Sequence, residues 1–155
     1  MTLTLRASLA NTGNKSENES FLQMIAEQVP VYRYNPQPFE IRAALDWLAL
    51  LGTSADIIAI SQALWRAYEV YIKPKLGQDP KSNAMIVVNI TSEDGSRINC
   101  VLGNSPIEYD MFIKEFRHSV TELSGGQLDG ADANEKFRKF EESERYIRVK
   151  SRKVE

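Results

Sequence analysis

The stretch M-I-V-V-N-I-T-S-E-D-G-S-R-I-N-C-V-L, residues 85 to 102, decides the fold of this chain. Ile86, Val88 and Ile90 recur at every second position, as do Ile98, Cys100 and Leu102, and Asp94-Gly95 lies between the two runs. Period-two alternation places one apolar set on one side of a pleated strand. Asp-Gly supplies the positive φ that a turn between antiparallel strands demands. The spacing therefore predicts a β-hairpin of Met85 to Ile90 with Arg97 to Leu102.

Working outward from the hairpin, S-P-I-E at Ser105 to Glu108 has the form of a capping box with Pro in the first turn. Tyr109, Phe112, Phe116, Val120 and Leu123 follow at helical spacing, and Gly125-Gly126 stops the run. Upstream, Lys73 to Asn83 contains Pro74, Gly77 and Pro80 and reads as a loop. Before it, Thr53 and Ser54 can cap a helix over Ala55 to Ile72, with Asp56 in the first turn. Its polar side is narrow, only Ser61, Gln62, Arg66 and Glu69 between Ile57 and Ile72, which suits either the core or a partner surface. A further helix is expected over F-E-I-R-A-A-L-D-W-L-A-L-L from Phe39 to Leu51, with Pro38 before it and Gly52 as terminator. These two would form an apolar helical hairpin.

At the start, Leu3, Leu5 and Ala7 alternate with Thr2, Thr4 and Arg6, which predicts a half-buried strand. No basic segment followed by a long apolar run precedes it, so the mature chain is expected to begin here. Phe21, Leu22, Ile25, Ala26 and Val29 then share one helical face until Pro30. Tyr32 to Pro38 is expected to be a connection.

The full chain has 155 residues, 19 basic and 21 acidic side chains, one His and one Cys. From Ala131 onward it holds 8 Lys or Arg and 6 Asp or Glu, leaving 11 and 15 upstream, so an acidic body precedes a basic tail. The expected organisation is one α+β domain over residues 1–125 and a charged, partly helical appendage over 126–155. The domain is expected to be two-layered, with a three-stranded sheet covered by helices on one face.

The chemistry-bearing residues are few. A lone Cys forms no internal disulfide and suits a reducing, cytoplasmic setting. A single His leaves no ligand set for most transition metals. Cys100 reads as a small core residue, His118 as a surface side chain, Glu93-Asp94 as a hairpin tip and the glycines as helix stops. Neither nucleotide-binding glycine motif is present. No cofactor, metal or catalytic residue is assigned, and we expect a protein that is not an enzyme. Charged residues through the helical pair, Asp46, Asp56, Arg66 and Glu69, argue against membrane insertion. The same pair has the outline of a helix-turn-helix, but its second member is too apolar for a wet, basic DNA interface.

The sequence thus points to contacts. The broad apolar helix nominates Trp47, Ile57, Leu64, Trp65, Tyr68 and Tyr71 as a protein-interaction surface, with a protein partner and a homo-oligomer expected. The acid-free run R-Y-I-R-V-K-S-R-K nominates Arg145, Arg148, Lys150, Arg152 and Lys153 for an anionic partner. A nucleic-acid accessory protein using that run, and a phage or other structural-assembly protein, are the alternatives.

The segments L-D-W-L-A-L-L-G-T-S-A-D-I-I-A-I-S-Q-A-L-W and M-I-V-V-N-I-T-S-E-D-G-S-R-I-N-C-V-L, taken in order, resemble the effector-associated constant component domains of bacterial conflict systems. The similarity spans about Met1 to Leu123 and is carried by Gly52, Trp65 and Asp94-Gly95 within the hydrophobic pattern. It implies a non-catalytic module that assembles an effector complex through protein contacts.

Overall fold

The computed structural model describes residues 2–10, 15–34, 45–78, 84–103, 108–125, 130–143 and 145–149. In chain order these form β1 (Leu3–Ala10), α1 (Lys15–Ala26), β2 (Val31–Tyr34), β3 (Leu45–Leu51) and α2 (Ser54–Ala67). A π-helical turn, Tyr68–Ile72, continues α2 into α3 (Lys73–Gln78). Then come β4 (Met85–Thr91), β5 (Arg97–Gly103), α4 (Tyr109–Ser124), α5 (Gly130–Glu141) and β6 (Tyr146–Val149). The α+β class is as expected, but the sheet has six strands, in the order β5-β4-β1-β3-β2-β6, where three were expected. Every pairing is antiparallel.

The hairpin forms as read. Ile86 pairs with Leu102, Val88 with Cys100 and Ile90 with Ile98. At its tip Gly95 takes φ 91°, while Ser96 donates its N–H to Asp94 Oδ1 at 2.9 Å and Ser92 donates to the Ser96 carbonyl at 2.8 Å. A Cβ at Gly95 would meet open space, so Gly95→Ala strains only the backbone. The expected cost is about 1–2 kcal/mol in a urea titration, the ordinary penalty for a non-glycine residue at positive φ.

The alternation of β1 is also borne out, with Leu3, Leu5, Ala7 and Leu9 buried in the main core. That core lies between one face of the sheet and the layer made by α1, α2 and α4. It takes Phe21, Leu22 and Ile25 from α1, Ile57, Ile60 and Leu64 from α2, and Phe112, Phe116 and Val120 from α4.

The expected helix ending at Leu51 is the largest correction. Residues 39–44 lie outside the described residues, and Leu45–Leu51 is strand β3, hydrogen-bonded between β1 and β2. Its continuous apolar run has a physical reason. Trp47, Ala49 and Leu51 enter the main core, whereas Leu48 and Leu50 enter a second core on the opposite face. A strand buried on both faces loses the alternation that separates strand from helix. The apolar helical hairpin therefore does not form, and α2 packs instead against α1 and α4.

Three smaller corrections accompany it. Tyr32 to Tyr34 of the expected connection belong to strand β2 (Val31–Tyr34). Lys73–Gln78 of the expected loop is helical. Glu108 is itself the N-cap of α4, in extended conformation and without a side-chain cap bond, so it is not the third residue of a capping box; Ser105 and Pro106 lie outside the described residues.

Helices cover both faces of the sheet, not one. On the second face α5 brings Phe137 and Phe140 against Tyr32, Leu48 and Leu50. Tyr32 stacks on Phe137 at 5.6 Å between ring centroids, and its hydroxyl donates to the Phe137 carbonyl at 3.0 Å. Burial, aided by the Glu141 charge, pushes the Tyr32 phenol up to about 12. Beyond α5 the chain returns as β6, pairing Tyr32 with Arg148 and Tyr34 with Tyr146. The segment expected as an appendage is thus where α5 and β6 lie.

This second face is covered unevenly. Over β1, β4 and β5 its cross-strand rows are Thr4, Thr91 and Arg97, then Arg6, Asn89 and Asn99, then Ser8, Val87 and Val101. Arg6, Asn89, Arg97, Asn99 and Val101 are exposed there. None of the nine is acidic.

Candidate functional site

The residues nominated for a protein-interaction surface lie inside the protomer. Trp47, Leu64 and Tyr68 are fully buried, Ile57 and Trp65 nearly so, and Tyr71 is half-buried with its ring edge-on to Phe21 at 6.1 Å. Trp47 meets Phe21 from the other side at 5.9 Å. Trp65 is the hub of an aromatic cluster with Tyr68 at 5.1 Å, Tyr109 at 5.3 Å and Phe112 at 5.9 Å. The breadth of the apolar face on α2 follows from this position, with the sheet, α1 and α4 each claiming part of its circumference.

One edge of that cluster reaches the surface. Tyr109, expected on the inward stripe of α4, is 42% exposed, and Met111, two residues on and so on another side of the helix, is 57% exposed. Position explains the difference, since Tyr109 opens the helix, where the first turn overhangs the layer beneath. Its ring still rests edge-on against Trp65. Glu108 and Asp110 flank it, and Glu69 with the 48% exposed Val70 lies one turn along from Trp65. The result is an exposed aromatic ring held from beneath by a buried Trp, with an acidic residue on each side of it in sequence.

A second feature is a cleft of about 460 Å³ between α5 and the start of α2, lined by Pro30, Thr53, Asp56, Phe137, Arg138 and Glu141 among others. The Asp56 carboxylate accepts from Gly52 N–H at 2.9 Å and Thr53 N–H at 3.0 Å, while Thr53 Oγ1 accepts from Asp56 N–H at 3.2 Å. This is a complete capping box. Glu141 bonds Arg148, and Arg138 lies 3.7 Å from Glu142. The two carboxylates of the cleft are thus engaged in holding the fold, one at a helix start and one against β6.

Of the basic residues nominated for an anionic partner, Arg145 precedes β6 and Arg148 lies within it, paired with Glu141; Lys150, Arg152 and Lys153 lie outside the described residues. Cys100 is partly buried against the main core, and desolvation, with the nearby Glu115 charge, pushes its thiol up. His118 is exposed, 3.2 Å from Glu122. At the hairpin tip Lys136 of α5 bonds Glu93 at 2.9 Å and holds that carboxyl below its usual range. Among the described residues no group of three or more His, Cys, Asp or Glu side chains could hold a metal ion. No described helix is long and apolar enough to cross a membrane.

Comparison with protein-family models, with curated proteins and with solved structures finds no match to this chain.

Proposed function

We propose that the protein is a non-catalytic protein-protein interaction module, acting by assembly, of the kind that the resemblance to effector-associated constant component domains implies. The observation that carries this reading is the exposed Tyr109 ring at the start of α4, edge-on against the buried Trp65. Aromatic side chains are enriched at interface centres. An aromatic ring already fixed against Trp65 loses little freedom when a partner covers it, which favours a large share of binding energy from a small area. An adaptor role in a bacterial defence system, in the cytoplasm, is the setting that fits.

The test is a photo-crosslinker next to the exposed ring. With a diazirine side chain in place of the exposed Glu108, illumination in cells is expected to give covalent adducts that disappear when Tyr109 is replaced by Glu. Recovery of only the free chain from illuminated cells would remove the reading.

A further inference from the structure

We infer that this chain pairs with a second copy of itself through the outer edge of β5, joining two six-stranded sheets into one. The inference goes beyond the contact at Tyr109 and does not rest on it. β5 is the last strand of the sheet, and among the described residues no strand pairs with its outer side. The ladder starts at the hairpin tip, where Ser92 donates to the Ser96 carbonyl, and bonded pairs alternate from there. Ile98, Cys100 and Leu102 therefore turn their N–H and C=O toward β4, while Arg97, Asn99 and Val101 turn theirs outward. Bulges, Pro, Lys and shortness are what keep an edge from pairing. β5 has none of them: its register with β4 is unbroken over seven residues, and Arg97 at one end is its only charge. The opposite edge, β6, is four residues long and carries Arg148, with Arg145 just before it.

The sequence of β5 fits its own antiparallel copy. With a two-fold axis at Cys100, Asn99 of one copy lies opposite Val101 of the other, and the two exchange a pair of backbone hydrogen bonds that symmetry repeats. On the core side Ile98 lies opposite Leu102, and Cys100 faces its symmetry mate. Arg97 lies opposite Gly103, which has no side chain to crowd it, and the two arginines stand at opposite ends of the pair. The main core is also unfinished at this edge. Ile86, Val88 and Ile90 of β4 are buried, whereas Ile98 and Cys100, in register with Ile90 and Val88, are only half-buried. A second β5 alongside continues that apolar row and covers them. Because each copy uses the same edge, the contact is isologous and closes at a dimer.

Sedimentation equilibrium of the full chain is expected to show a mass that rises with concentration and levels off at twice the 17.6 kDa of one chain. Asn99 and Val101 are exposed, so charges placed there load the edge without entering the core. Asn99→Lys with Val101→Lys sets ammonium groups against one another across the axis and is expected to weaken self-association at least about a hundredfold. Asn99→Glu with Val101→Glu is expected to do the same, and an equimolar mixture of the two double variants to dimerise again. A reading free of charge, which serves if circular dichroism shows a charged variant unfolded, uses Cys100→Ala chains carrying either Asn99→Cys or Val101→Cys. Opposed bonded residues have Cα atoms about 5.5 Å apart, a disulfide separation. Diamide, which takes up the two electrons and two protons of the paired thiols, is expected to give covalent dimer from the mixture and far less from either variant alone. A wild-type chain that stays monomeric, one that grows past a dimer, folded Lys and Glu variants that associate like the parent, or cysteine variants that crosslink no better mixed than alone would each overturn the inference. Any of these leaves the Tyr109 reading standing, since that reading is decided by adducts at position 108.

Discussion

Replacing Trp65 by Ala is expected to destabilise the protein by about 3–5 kcal/mol, the range for truncating a large aromatic in a packed interior. Trp65 is 8% exposed and contacts Tyr68, Tyr109 and Phe112, so its loss opens a cavity where α2 meets α4. Typical domains have only about 5–15 kcal/mol in total, and Trp65→Glu, which adds a buried unpaired charge, is expected to leave little folded protein. Thermal melts followed by near-ultraviolet circular dichroism check both. Met111→Glu, by contrast, is expected to leave the melting temperature within a few degrees of the parent, because an exposed substitution away from special features changes stability by about 0.5 kcal/mol or less. A Trp65→Ala variant as stable as the parent would mean that this residue is not core, and the account of α2 would have to be revised.

The second large effect concerns the C-terminal segment. Ending the chain after Gly125 removes α5 and β6 and uncovers Tyr32, Leu48 and Leu50, which are buried beneath Phe137 and Phe140. Returning three large side chains to water costs about 5–9 kcal/mol at roughly 1.5–3 kcal/mol each. An appendage could be cut away without consequence, whereas removal of this segment is expected to be costly. The shortened chain is expected to bind a hydrophobic dye and to lose most of its cooperative urea transition. Phe137→Ala in the full chain is the milder companion, expected to lower the urea midpoint without abolishing the transition. An unchanged transition after truncation would show that the second core contributes nothing to stability.

What could be read in advance depended on how many faces of an element are buried. β1, β4 and β5 have one face in the main core and the other more open, so their alternation survives in the sequence and identified them. β3 is enclosed on both sides, and its run of Leu, Trp and Ala is as compatible with a buried helix as with a strand. The two remaining strands are four residues long. Val31–Tyr34 follows Pro30 directly and Tyr146–Val149 lies within a basic run, so turn and charge signals masked them. The Thr53-Asp56 cap was legible because its partners are three residues apart. The exposure of Tyr109 was not, because it has the same helical phase as Phe112 and Phe116 and differs only in standing at the helix start.

The position of β6 also has a consequence for biosynthesis. Its pairing of Val31 with Val149 joins residues far apart in sequence, so the sheet cannot be completed until Tyr146–Val149 has left the ribosome. During that interval Tyr32, Leu48 and Leu50 have no cover, although the hairpin and the layer over the main core can already form. Contacts so distant in sequence are slow to close, and an uncovered apolar sheet face is where nascent chains aggregate. Strand β6 with α5 therefore acts as a latch on the second core.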